Sequence, residues 1–255
     1  MISRRTAAWL VHSYTAMGGV IGVFALITAA DGRYREAFLL LVVTTLIDAT
    51  DGLMARQVRV RDVLPDFDGA MMDNVIDVLT FLWIPVFIMV HAELIPHPGW
   101  AVVPVIAGMY AYGQVNMKTP DSYFLGFPTY WNIIALYMYW IQPVGWVAVG
   151  LLIFFCILTF IPTRYLYPSK NRFLWKTTWS LSTTWIFMIC YMLTKENPSE
   201  SLVWVSLYFP IYYMVVSFWV DLKIRRGELK VFNWRVIARR TQLIYLMRRR
   251  KKLDN

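Results

Sequence analysis

Eight apolar stretches of roughly 15 to 24 residues, joined by short connections, leave this chain few folds to choose from. They run over about 7–30, 36–54, 70–90, 99–117, 129–143, 145–162, 174–194 and 201–221. About 20 apolar residues is the length that crosses a hydrocarbon layer as a helix, and inside that layer only helices or closed barrels satisfy every backbone N–H and C=O. Composition points the same way: 58% of residues are hydrophobic and 16% are charged, against about a quarter charged in a soluble domain. An ordinary soluble globule and a disordered chain are both excluded. The expected fold is all-α, a polytopic integral membrane bundle of about eight transmembrane helices. Residues 1–221 form the transmembrane domain, and 222–255 a basic juxtamembrane tail. The fifth stretch is short enough to be tilted or partly re-entrant. Pro85 and Pro104 fall inside spans, where neighbouring helices can take up the freed carbonyls. Arg4 and Arg5 precede a run too long for a signal peptide, so that run reads as the first span.

The net charge of +9 suggests a nucleic-acid partner until its distribution is read. Twelve of the 25 lysines and arginines lie between Leu222 and Asn255, and the remaining 221 residues carry a net charge of −1. A basic cluster such as Arg248 to Lys252 beside a membrane segment fixes orientation and touches anionic headgroups; no nucleic-acid partner is expected. With both termini in the cytoplasm, 22 of the 25 basic residues fall inside, leaving Arg33, Arg35 and Lys195 outside. The positive-inside rule favours this orientation, which also turns Asp48 to Asp77 toward the cytoplasm. Within the tail, Lys230–Met247 mixes apolar and basic residues as a helix lying on the inner leaflet would. Cys156 and Cys190 sit in apolar runs as packing residues. His12, His91 and His97 show no metal-ligand spacing.

Four carboxylates interrupt two of the apolar stretches: Asp48 and Asp51 near the end of the second, Asp73 and Asp77 near the start of the third. Asp48 and Asp51 share one helix face at i,i+3, and Gly69, Asp73 and Asp77 form a stripe at i,i+4 on the other. Two antiparallel helices would bring all four acids to one place, where a low dielectric makes their repulsion severe. Hard divalent cations with oxygen ligands relieve it; Mg²⁺ or Mn²⁺ bound together with substrate phosphates is the usual form. Gly52 and Gly69 would let a flat or bulky group approach the backbone, and Arg56 offers a planar fork for phosphate. From spacing alone, an acidic ion pathway, a proton relay or helix capping stays open.

The run Asp51-Gly52-Leu53-Met54-Ala55-Arg56, twelve further residues, then Gly69-x3-Asp73-x3-Asp77, with Asp48 three residues ahead, resembles the signature of the CDP-alcohol phosphotransferase family. Many members have eight residues where this chain has twelve. The longer gap resembles the bacterial phosphatidylcholine synthase branch, as do Val11-His12 with Thr15-Ala16, Met117-Lys118-Thr119, Gly126-Phe127-Pro128, Trp131-Asn132 and Leu158 to Pro162. The resemblance covers most of residues 8–170 and is weaker over the last two stretches.

It implies an enzyme that transfers a phosphatidyl group from CDP-diacylglycerol to choline with release of CMP. Serine, glycerol phosphate or inositol phosphate are the alternative acceptors within the family; a membrane transporter or ion pathway is the alternative outside it. It further implies Asp48, Asp51 and Asp73 as ligands of Mg²⁺ or Mn²⁺, Asp77 as general base and additional ligand, and Gly52, Ala55, Arg56 and Gly69 as the nucleotide and phosphate site. A homodimer in the bacterial inner membrane, surrounded by membrane lipids and with its active site on the cytoplasmic side, is also implied.

Choline is a quaternary ammonium, which aromatic faces recognise. Tyr112, Tyr123, Phe127 and Trp131 are the candidates near the active face, with Trp83 further down the third stretch. Arg59 and Arg61 are candidates for the lipid phosphate, or simply topology charges; Lys118 and Arg164 could likewise meet an anionic headgroup. Asp62, Asp66 and Asp68 read as solvated loop acids. Gly18, Gly19 and Gly22 allow close helix contact.

Overall fold

A computed structural model describes residues 3–119, 122–167 and 174–229. The expected interfacial helix at 230–247 and most of the basic tail lie outside the described residues. Helix α1 (Arg4–Ala30) starts at Ser3, whose hydroxyl accepts the Thr6 N–H at 3.1 Å. Helix α2 (Tyr34–Val58) stops at Arg59, which turns left-handed at φ 55°, and the short α3 (Val60–Val63) follows.

Helix α4 (Gly69–Asp77) is capped by Asp68, whose carboxylate accepts the Ala70 and Met71 N–H groups at 3.1 and 3.0 Å. Asp68 is exposed and lies ahead of the first helical residue, as expected of a solvated loop acid, and it has a further task. Its side chain fills an N-cap role, because the first turn leaves N–H groups without helical partners. The helix widens into a π-turn over Val78–Trp83 and resumes as α5 (Ile84–His91). Pro85 explains the widening: it has no N–H to offer the carbonyl of Phe81, and the Ile84 N–H bonds back to Leu79 instead.

A 3₁₀ turn at Pro98–Ala101 leads into α6 (Val102–Gly113). The strand β1 (Tyr123–Leu125) precedes α7 (Trp131–Ile141) and α8 (Gly145–Phe160). The strand β2 (Arg164–Leu166) precedes α9 (Trp175–Leu193), α10 (Glu200–Ser206) and α11 (Tyr208–Arg225).

Helix falls within each of the eight apolar stretches. Among the described residues, four helical segments are long and apolar enough to cross a membrane on their own: Arg4–Ala30, Tyr34–Val58, Gly69–His91 and Glu200–Arg225. This is a helical membrane architecture. The 11 residues of α7, at 1.5 Å each, rise only about 16 Å, about half of a hydrocarbon layer.

Helix α1 packs along α2 and against α4. A Cβ on Gly18 would touch Ile47 and Ile76 at 3.5 Å, and one on Gly22 would press on Thr80 at 3.0 Å. These small residues therefore serve contacts inside the chain. Below the aspartates the core is apolar and tight, with Leu82, Ile84, Ile88, Met89, Trp131, Met138 and Leu152 almost fully buried.

A two-stranded antiparallel ribbon, Tyr123↔Leu166 to Leu125↔Arg164, departs from the purely helical expectation. Three residues per strand are too few to leave an alternating pattern in sequence. Gly126 closes the ribbon at φ +81°, and a Cβ there would strike the Thr159 carbonyl oxygen. Its N–H donates to the Thr163 carbonyl at 2.9 Å. The ribbon, the start of α1, the end of α2, the start of α4 and the end of α11 all lie at one end of the bundle.

Candidate active site

At that end a cleft of about 530 Å³ opens between α1, α2, α3, α4 and the ribbon. Helix α2 supplies Asp48, Asp51, Gly52, Ala55 and Arg56 to its wall, and α4 supplies Gly69 and Asp73. Arg59, Arg61 and Asp62 line the rim, and Lys118 and Tyr167 enter from the ribbon side.

Asp48, Asp73 and Asp77 can each present a carboxylate oxygen so that the three lie within 4.8 Å of one another. Asp77 lies one helical turn deeper than Asp73 and is 7% exposed. Oxygens on opposite sides of an octahedral Mg²⁺-sized ion stand about 4.2 Å apart. Three hard oxygen donors at this separation fit such an ion. Asp51 is buried beside this group and accepts a hydrogen bond from Thr15 Oγ1 at 2.8 Å. That contact fixes its side chain from α1.

Lys118 brings a cation within electrostatic reach of Asp48, Asp51 and Asp77. Burial alone would lower its pKa, but the fields of Tyr167, Asp77, Asp73 and Asp48 outweigh it and hold the ammonium above the ordinary lysine value. It stays charged across the neutral range. Arg164, the other expected headgroup contact on this side, is turned toward Asp221, with Nη1 at 3.5 Å from Oδ1, and does not line the cleft.

The four aromatic candidates for choline are distributed differently from the acids. Trp131 is 0%, Phe127 4% and Tyr123 7% exposed, each packed into the core or the ribbon. Tyr112 hydrogen-bonds Thr129 and stands within electrostatic reach of Asp77. Trp83 is 46% exposed on the outer surface of the π-turn. The cleft itself presents Phe67 and Tyr167.

Two further wall residues, His12 and Thr15, come from α1. The His12 ring rests on Phe67 at 4.4 Å between centroids and occupies the space where Gly69 would carry a side chain. Its Nε2 is buried with no hydrogen-bond partner among the described residues. The sequence pairs His12 with Thr15 near one face of a helix, but nothing in that spacing says the face meets two aspartate helices.

The family model of CDP-alcohol phosphatidyltransferases matches residues 12–161, a stretch that holds all four motif aspartates. The chain belongs to this family. It is 38% identical over 216 residues to the phosphatidylcholine synthase of Legionella pneumophila, covering 79% of this chain and 82% of that protein. The phosphatidylcholine synthase of Pseudomonas aeruginosa is 31% identical over 84% of this chain and 92% of its own length. That of Borreliella burgdorferi is 30% identical over 82% and 91%. The matched family segment ends before β2, so Tyr167 and the whole of α9 to α11 lie beyond it. Within the segment, this CDP-alcohol phosphatidyltransferase has converging acids at the cleft floor and four cationic side chains, Arg56, Arg59, Arg61 and Lys118, on its walls and rim. Such an arrangement suits a dianionic diphosphate whose leaving half must be stabilised.

Proposed function

We propose that this chain transfers the phosphatidyl group of CDP-diacylglycerol to choline, forming phosphatidylcholine and releasing CMP. The observation that carries the reading is the convergence of Asp48, Asp73 and Asp77 under a cleft walled by Arg56, Arg59 and Lys118. The acceptor follows the relatives, which are named phosphatidylcholine synthases.

Asp48, Asp51 and Asp73, with Asp77, would hold Mg²⁺ or Mn²⁺. Bound there, a divalent ion neutralises the diphosphate and stabilises the charge on departing CMP. Gly52, Ala55 and Gly69 leave room for the nucleotide, and Arg56 pairs with its phosphates. Arg59 and Lys118 bind the phosphate that remains with the lipid, and Arg164 is an outlying candidate for the same task. Asp77 accepts the choline hydroxyl proton as the new oxygen–phosphorus bond forms and the bond to CMP breaks. A carboxylate is a weak base for an alcohol, so orientation of the two substrates contributes most of the acceleration. Tyr112 supports the ammonium end of choline, with Tyr123, Phe127 and Trp131 behind it.

In this reading the eight apolar stretches lie in the bacterial inner membrane, the short α7 entering it only part of the way, with the cleft and both termini on the cytoplasmic side, and two copies form a homodimer. Support comes from the basic-residue count and from the start of α1 and end of α11 sharing the cleft end. Lipid acyl chains stay in the bilayer while CDP and choline come from water, which suits a cleft near the surface.

The test is CMP release by purified protein given CDP-diacylglycerol, Mn²⁺ and labelled alcohols. Release with choline is expected. Product from serine, glycerol phosphate or inositol phosphate in place of choline would overturn the acceptor. Ion flux across sealed vesicles without CMP release would overturn the enzyme.

A further inference from the structure

In a ribbon of two strands, β2 has one edge paired with β1 and the other facing α11. Unpaired backbone groups buried at such an edge are costly. Helix α11 meets this need with three side chains. Ser217 Oγ accepts the Leu166 N–H at 3.1 Å, and Tyr213 Oη donates to the Leu166 carbonyl at 2.9 Å. Asp221 Oδ1 accepts the Arg164 N–H at 3.1 Å. Residues 213, 217 and 221 are four apart and so share one helix face. They are 5%, 0% and 4% exposed. Asp221 is itself held by Arg225, whose Nε donates at 2.6 Å and whose Nη2 reaches the Pro162 carbonyl at 2.8 Å.

What the ribbon carries makes this more than packing. The residue after β2 is Tyr167, in the cleft wall, with its ring stacked on Phe124 of β1 at 4.5 Å. Phe124 bridges to Lys118, the cleft-wall cation. One chain of contacts therefore runs from α11 through β2 to both residues.

We infer that the Tyr213, Ser217 and Asp221 face of α11 is a positioning device: it sets the ribbon, and through it Lys118 and Tyr167, at the height where they meet substrate. The inference rests on the cleft being the active site. It assigns a role to a helix lying wholly beyond the matched family segment.

The test uses the full chain with Ser217→Ala, which removes the bond to the Leu166 N–H, and Tyr213→Phe, which removes the bond to the Leu166 carbonyl together with the one shared with Tyr130, both with little change of volume; Asp221→Asn is the harsher variant. Hydrogen exchange at residues 117–119, 122–127 and 163–167 should quicken in each. The kcat for CMP release should fall about tenfold or more, since a misplacement near 1 Å can cost on the order of a hundredfold. The Mn²⁺ half-saturation point should move by less than about twofold, because no stripe residue touches the acids. In a background carrying both Lys118→Met and Tyr167→Ala, Ser217→Ala should add less than about a twofold loss, since the residues being positioned are gone.

Full additivity in that background would overturn the inference, as would unchanged exchange or quickened exchange with wild-type kcat. Quickened exchange in a protein whose wild type releases no CMP with choline would instead sink the functional reading and leave the mechanical link standing.

Discussion

Gly69→Ala separates two reasons for a glycine in this motif. The sequence suggests room for a nucleotide; the structure shows the His12 ring already against the Cα. A Cβ would run into His12 Cε1 and lie 2.9 Å from Nδ1. The ring has little freedom to retreat: His12 is 6% exposed, with Phe67 at 4.4 Å and Trp9 at 5.9 Å. Overpacking of this kind costs about 1–3 kcal/mol, and at about 2–4 °C per kcal/mol the melting midpoint in detergent should drop by roughly 2–12 °C. With His12→Ala the space opens. Gly69→Ala should then cost less than about 0.5 kcal/mol, a coupling of roughly 0.5 kcal/mol or more between the two positions. CMP release is measured on the same four proteins. Recovery of the midpoint without recovery of activity means that Gly69 serves the ligand as well as the packing. An equal fall in midpoint with and without the imidazole would refute the steric argument.

Asp77→Asn should abolish CMP release, at least a hundredfold, as expected for loss of a base, while protein-bound Mn²⁺ remains detectable by electron paramagnetic resonance; full turnover would remove Asp77 from the chemistry. Chelation should stop the reaction and either Mg²⁺ or Mn²⁺ restore it, with Asp48→Asn and Asp73→Asn shifting the metal requirement upward in a titration of rate against free ion. Gly126→Ala should lower the melting midpoint, since a non-glycine residue at φ +81° costs on the order of 1–3 kcal/mol even before the clash with Thr159; an unchanged midpoint would mean the ribbon turn is not under that constraint.

The helical layout was legible because apolar runs of membrane length have few other folds, and the acids because helix geometry converts i,i+3 and i,i+4 spacing directly into a shared face. The extra residues between Arg56 and Gly69 conceal α3 and the Asp68 cap, which depend on a left-handed turn at Arg59 that no sequence rule required. Other parts were hidden for reasons of distance along the chain. Thr15 meets Asp51 across 36 positions, and Ser217 meets Leu166 across 51. Serine and tyrosine within an apolar helix look like ordinary tolerated polar residues until a strand edge is seen beside them. With 42 aromatic side chains in the chain, nearness to a motif in sequence does not separate Trp131 in the core from Tyr167 in the cleft wall.

The π-turn at Val78–Trp83 gives one helix two azimuths. Each residue advances a helix by about 100°, so a turn holding one residue more than the α register rotates everything past it by about that angle relative to Gly69, Asp73 and Asp77. The upper half can aim its acids at α2 while the lower half, α5, packs against α1 and α7. Deleting a single residue there would restore a uniform helix and leave one of those two aims wrong.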